Sequence, residues 1–185
     1  MRNTTRRRSF AYLLVLATMI AGAPSAVRAQ NVSQAWSTVA SAGEPDESST
    51  PIIEYSGALA TIKSTAPTST VGVIRYRVAP VDGLFLSGCK VLNVRYRDNG
   101  NGATVRVHLR RTNMNTGATV TLVSFDSEAN PPAAGYQTRI SPCRSFSFDF
   151  VNNTYWIEAF IYRYVENDQI GIPGLQAIQI TQDIG

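Results

Sequence analysis

Arginines set in alternation with apolar residues are the first feature of this chain that could bind a ligand. Arg95 and Arg97 alternate with Leu92, Val94 and Tyr96, and Arg106, His108 and Arg110 alternate with Val105, Val107 and Leu109. Arg75 and Arg77 alternate in the same way with Ile74, Tyr76 and Val78. A period of two places each arginine set on one face of a strand. Guanidinium forks hold carboxylate, sulfate or phosphate groups with two donors, so such a wall suits an anionic glycan or ion. The competing use is cross-strand pairing with Asp149, Glu158 and Glu166. A second pattern sets Trp156, Glu158, Phe160, Tyr162, Tyr164 and Glu166 against Ile157, Ala159, Ile161 and Val165. With the aliphatic set in the core, a stripe of rings flanked by acids is left outside. Flat rings suit stacking on sugars; a covered central strand or a self-association patch requires the same pattern. The candidate ligand-binding residues are therefore Trp156, Tyr162, Tyr164, Arg95, Arg97, Arg106 and Arg110.

Catalysis is less well supported. The chain has a single His, His108, and it sits between two arginines that favour its neutral form. No Gly-x-Ser-x-Gly elbow is present, and a general base needs a nucleophile and an orienting acid beside it. Glu158 with Asp149 or Glu166 is the one carboxylate pairing that could serve glycoside hydrolysis. Asp98–Gly102 has glycines where a calcium loop needs oxygen ligands, and reads as a turn. One His and two Cys exclude zinc sites built from clustered Cys and His. No metal, no cofactor and no enzymatic activity are expected. Asn152-Asn153-Thr154 fits the glycosylation sequon.

The elements that must position these residues are strands. The chain has 185 residues, of which 44% are hydrophobic and 16% charged, enough for one core. From Ile52 onward, short runs of Val, Ile, Thr, Tyr and Phe alternate with turn residues, and no useful amphipathic helix appears. Strands are expected at 52–62 (with a break at Gly57), 71–79, 89–98, 103–112, 118–126, 136–140, 144–151, 155–166 and 175–181. About nine strands with short turns indicate an all-β fold, an antiparallel β-sandwich or jelly roll, with a closed barrel as the alternative. Asn99-Gly100 and Asn101-Gly102 each favour a hairpin between 89–98 and 103–112. Any such hairpin has an odd pairing sum, which puts Arg95 and Arg97 on one face with Thr104, Arg106, His108 and Arg110. Leu92, Val94, Tyr96, Val105, Val107 and Leu109 then form the core side. The phrase Gly-Ala-Thr-Val recurs at 102–105 and 117–120 as reused turn chemistry. Burying Val120 and Leu122 beside Val107 and Leu109 requires a bulge there, with Gly117 left-handed.

The N-terminal portion has a different texture. Residues 1–29 combine Arg2, Arg6, Arg7 and Arg8, an apolar run from Phe10 to Ala23, and Val27-Arg28-Ala29 before a cut. This is a secretory signal, and its apolar run is shorter than a membrane span. Residues 30–51, rich in Ser, Thr, Ala, Gly and Pro, read as a disordered tether, leaving 52–185 as the β-sandwich domain. The formal charge of +4 belongs to the signal. Removing five arginines and no acid leaves 12 bases against 13 acids, which offers a nucleic acid no counterion-releasing face. No other apolar stretch could span a membrane. An exported chain with one pair of cysteines suggests a Cys89–Cys143 disulfide. Periplasm and extracellular space are equally compatible.

Leu86-Ser87-Gly88, Val94-Arg95-Tyr96-Arg97-Asp98, Leu109-Arg110-Arg111-Thr112-Asn113 and Thr116-Gly117-Ala118 together resemble uncharacterised exported bacterial β-sandwich proteins. The resemblance covers about a third of the expected mature chain, is carried by turns and strands, and implies no site. The expected function is non-catalytic binding of an extracellular ligand, carbohydrate foremost, through the aromatic and arginine faces. The alternatives are assembly with another extracellular protein or a second copy, and, third, a glycoside hydrolase.

Overall fold

The computed structural model describes residues 36–81 and 88–182, all within one compact unit. The secretory signal expected over 1–29 lies outside the described residues. The described residues form fourteen strands. The first five are β1 (Trp36–Val39), β2 (Glu44–Pro45), β3 (Ile53–Ser56), β4 (Leu59–Ile62) and β5 (Thr70–Arg77). Then come β6 (Cys89–Asp98), β7 (Ala103–Asn113), β8 (Thr119–Asp126), β9 (Ala133–Ile140) and β10 (Arg144–Ser145). β11 (Asn153–Arg163), β12 (Val165–Glu166), β13 (Gln169–Ile170) and β14 (Gly174–Gln182) complete the set. The count exceeds the expected nine because short edge strands and one small hairpin add to the long ones.

These strands form an antiparallel sandwich. One sheet runs β10-β6-β14-β4-β3, with β1 also paired to β14 and β9 to β6. The other runs β2-β5-β11-β7-β8, and β12 with β13 makes a separate hairpin. Alternation determines what lies between the sheets. Leu92, Val94, Tyr96, Ile178 and Ile180 face inward from one, and Ile74, Val105, Val107, Leu109, Ile157 and Ile161 from the other, all at 1% exposure or less. Burying each such side chain contributes about 1.5–3 kcal/mol. Tyr96 meets Phe125 edge-on between the sheets, with ring centroids 5.1 Å apart. At Gly72 the packing is so close that a Cβ would lie 2.3 Å from Ile53 Cδ1. Arg163, inward at the end of β11, donates to the carbonyls of Lys63, Ala66 and Pro67 and so pins that turn. Cys89 and Cys143 are joined by a disulfide, with Cα atoms 5.5 Å apart.

Several expectations need correction. Residues 36–51, expected as the later part of a disordered tether, belong to the folded domain. β1 pairs with β14 from Trp36↔Ile180 to Val39↔Ala177, and Trp36 and Ala40 belong to the core. β2 pairs with β5 beyond it.

The hairpin between β6 and β7 does not exist. β6 pairs with β14, β9 and β10, whereas β7 pairs with β11 and β8. Gly100, Asn101 and Gly102 all adopt positive φ (69°, 54° and 81°), and this left-handed run carries the chain from one sheet to the other. The two apolar sets both face the core, as expected, but from opposite sheets rather than from one shared face, and the two arginine sets point out of opposite sides.

The β7–β8 bulge is present, yet it lies within the strands, between Leu109 and Arg110, rather than at the turn. It brings Val123 and Phe125 opposite Leu109 and Val107, so these two are buried while Val120 is 42% exposed. Gly117 is left-handed at φ 70°. Of the strand expected over 144–151, only Arg144–Ser145 pairs. Phe146, Phe148 and Phe150 instead pack as an aromatic cluster with Tyr155, whose hydroxyl accepts from the Asp149 amide.

Candidate functional site

β11 is the middle strand of its sheet, flanked by β5 and β7 along most of its length. Its inward side chains, Tyr155, Ile157, Ala159 and Ile161, are buried, so Trp156, Glu158, Phe160 and Tyr162 must point outward. Antiparallel register then builds rows across the outer face. Arg77, Trp156 and Arg110 form one row; Arg75, Glu158 and His108 the next; Val73, Phe160 and Arg106 the third; Val71, Tyr162 and Thr104 the fourth.

The rings of Phe160 and Tyr162 lie 6.0 Å apart and nearly parallel, and those of Tyr162 and Tyr164 follow at 5.9 Å. The Arg106 guanidinium sits 5.3 Å from the Tyr162 centroid, a cation–π contact. His108 meets Phe160 edge-on at 5.6 Å and bonds Ser124 Oγ through Nδ1 at 3.0 Å. Burial, and next the Arg110 charge, hold its pKa below the usual imidazole value, so it is neutral near pH 7.

Carboxylates partner most of the arginines on this face. Glu158, its side chain 13% exposed, meets Arg110 at 2.6 Å and Arg75 at 3.3 Å, and Asp46 reaches Arg75 at 4.0 Å. Arg106 meets Asp126 at 2.9 Å and Glu128 at 3.1 Å. The more exposed of these pairs, those of Arg106, contribute little to stability. Their effect is to hold long side chains in fixed positions around the rings.

At the Trp156 end the face deepens into a groove of about 1090 Å³, lined by Trp156, Arg75, Arg77, Arg110 and Glu158 together with Thr119 and Thr154. Trp36, Thr38, Ala42 and Glu44 form another part of its wall. Sequence reasoning missed that wall because the segment was read as a tether; a lone Trp in a Ser/Thr-rich stretch was the available signal. It also left Arg77 out of the candidate set.

Of the seven candidates, Trp156, Tyr162, Tyr164, Arg106 and Arg110 come together here. Arg95 and Arg97 do not, because β6 belongs to the other sheet. There Arg95 bonds Gln176 and Thr138, and Arg97 donates to the Ile172 carbonyl and lies 5.4 Å from the Tyr136 centroid. β11 also ends sooner than expected. Val165 is not in the core but 49% exposed, in the β12–β13 hairpin with Glu166.

No protein-family model matches the chain, and no curated protein sequence matches it either. Among solved structures, TmCBM61 in complex with β-1,4-galactotriose is similar over 82% of this chain and 90% of its own, at 9% identity and a TM-score of 0.42. The C-terminal family 22 carbohydrate-binding module of Clostridium thermocellum Xyn10B is similar over 85% and 92%, at 11% identity and a TM-score of 0.39. PfGH50B matches over 82% of this chain but 23% of its own length, at 12% identity and a TM-score of 0.41. Likeness at this level transfers no site residue.

The Glu158 carboxylate is engaged by two guanidinium groups. Asp149, rather than alternating outward, accepts from the Val151 and Asn152 amides within its own turn, while Glu166 sits on the separate hairpin. Among the described residues, no group of three or more His, Cys, Asp or Glu is placed to hold a metal ion. Nor is any helix among them long and apolar enough to cross a membrane.

Proposed function

We propose that the chain is an exported, non-catalytic module that binds carbohydrate along the outer face of the β5-β11-β7 sheet. The observation that carries this reading is the row of near-parallel rings, Phe160 and Tyr162 on β11 and Tyr164 just beyond its end, continuing the line of Trp156. Pyranose rings present apolar C–H faces to such surfaces and hydroxyl rims to polar neighbours. Here Thr154, Glu158 and the arginines supply those neighbours, and the ion pairs hold them in place before ligand arrives, which lowers the ordering cost of binding. The layout of residues 1–29 and the Cys89–Cys143 disulfide support an oxidising location, periplasmic or extracellular.

The test is a broad glycan array followed by titration calorimetry. Saturable binding is expected, and Tyr162→Ala with Tyr164→Ala should weaken it by roughly tenfold or more, equivalent to about 1.4 kcal/mol. A clean negative across the array would sink the reading. A second reading, assembly with another copy or another extracellular protein, is favoured by the exposed apolar residues Val165, Ile170 and Ile172, each about half exposed. Concentration-dependent mass in sedimentation would favour it.

A further inference from the structure

The groove at the Trp156 end differs in charge from the rest of the aromatic face. On that face Arg75, Arg106 and Arg110 each have a carboxylate within 4.0 Å. Arg77 is exposed, and among the described residues it has no such partner, although it stands directly beside Trp156 in the register. On the other side of the same indole stands Arg110, shared with Glu158 and 29% exposed. The groove is lined by three guanidinium groups and two carboxylates, Glu44 and Glu158, and Asp46 also reaches Arg75, so that among the described residues Arg77, beside the ring, is the lining cation without a carboxylate within 4.0 Å.

This arrangement matches the shape of one kind of sugar. In a hexuronic acid the carboxylate projects from the rim of the pyranose ring, not from its flat face. A ring stacked on Trp156 therefore carries its carboxylate sideways, toward a neighbouring strand, and cross-strand neighbours stand only about 4.5–5.5 Å apart at Cβ. A guanidinium above the indole would block the stacking face. One beside it takes the carboxylate with a forked, charge-assisted pair of hydrogen bonds. Thr154 and Thr119 are also in the lining, the latter with its hydroxyl bonded to that of Thr112 at 2.7 Å, and add polar groups to the rim.

We infer that the Arg77–Trp156–Arg110 row is a subsite for an acidic pyranose, so that the ligand of this face is a uronic-acid-containing glycan. The inference rests on the carbohydrate-binding reading and narrows it to a charge class. Its test is calorimetric titration of the full chain with oligogalacturonides and alginate oligomers, each also as its methyl ester, alongside neutral β-linked oligosaccharides.

At least one acid series should bind roughly tenfold or more tighter than its ester at low salt, as for one added charge-assisted contact. The preference should narrow as ionic strength rises. Arg77→Gln should bring acid and ester to within about threefold of each other, with its melting temperature unchanged because the side chain is exposed and unpaired. Esters binding as tightly as acids, neutral oligosaccharides binding while both acids fail, or a preference that survives Arg77→Gln would each overturn the inference and leave the carbohydrate reading standing. Failure of every saccharide, charged or neutral, would remove both.

Discussion

Three buried serines show how single side chains finish the sheets. Ser49, Ser127 and Ser141 are at most 4% exposed, and each accepts a hydrogen bond from a strand amide, those of Val73, Val105 and Leu92 at 2.8–2.9 Å. In each case the hydroxyl stands where a neighbouring strand would have supplied a carbonyl, so no buried N–H is left without an acceptor. Ser127 has a second role, since it donates to Asp98, whose other carboxylate oxygen accepts from the Gly100 amide and so holds the left-handed turn. Ser127→Ala removes one partner from each of two buried polar groups. Its expected cost is about 1–3 kcal/mol, read as a lower denaturant midpoint at unchanged slope. Nothing in the local sequence distinguishes these serines from the many exposed ones, because their role comes from what lies across the sheet.

At the level of elements, legibility depended on whether a strand's own pattern or its neighbours decide its place. β11 was readable: Ile157, Ala159 and Ile161 alternate with Trp156, Glu158, Phe160 and Tyr162, and the structure buries the first set only. β1 was not, because Trp-Ser-Thr-Val has too little apolar content to announce a strand and becomes one by pairing with Ile178 and Ile180 of β14. The Asn-Gly turn at 99–102 was read correctly as a chain reversal but wrongly as a hairpin. Left-handed residues reverse the chain equally well between two strands of one sheet or between two sheets, and the choice is made by β11 and β14 pairing in from more than fifty residues away. The bulge at Leu109/Arg110 is equally silent, since Val120/Leu122 and Val123/Phe125 are equally apolar candidates. For β1 the consequence is measurable. Trp36→Ala should cost about 3–5 kcal/mol in chemical denaturation, as for a large core residue, whereas a tether residue would cost nothing.

The whole molecule has two unlike outer faces. The β6–β14 side is a mesh of amides, hydroxyls and guanidiniums, with Asn93 bonded to Gln179 and Arg95 to Gln176. The β11 side carries the rings and the ion pairs. The antiparallel sandwich itself followed from alternation over most of the chain, but which residues share a face followed from sheet membership, and that divided seven candidates into five and two. The disulfide has a consequence for this architecture under load. Cys89 opens β6 and Cys143 precedes β10, so the cross-link encloses β7, β8 and β9 as well, including two of the passages between the sheets, β6 to β7 and β8 to β9. When the chain is pulled from its ends, tension arriving at Cys89 would pass directly to Cys143 without entering those strands. With 54 residues held out of the extensible length, single-molecule stretching of the oxidised chain should release about 180 Å less contour length than stretching of the reduced chain. Equal lengths would mean that the enclosed strands carry the force after all. Otherwise the segment between the cysteines stays slack, and the load-carrying path runs through β1 to β5 as far as Cys89 and on from Cys143 through β11, the strand that bears Trp156, Phe160 and Tyr162.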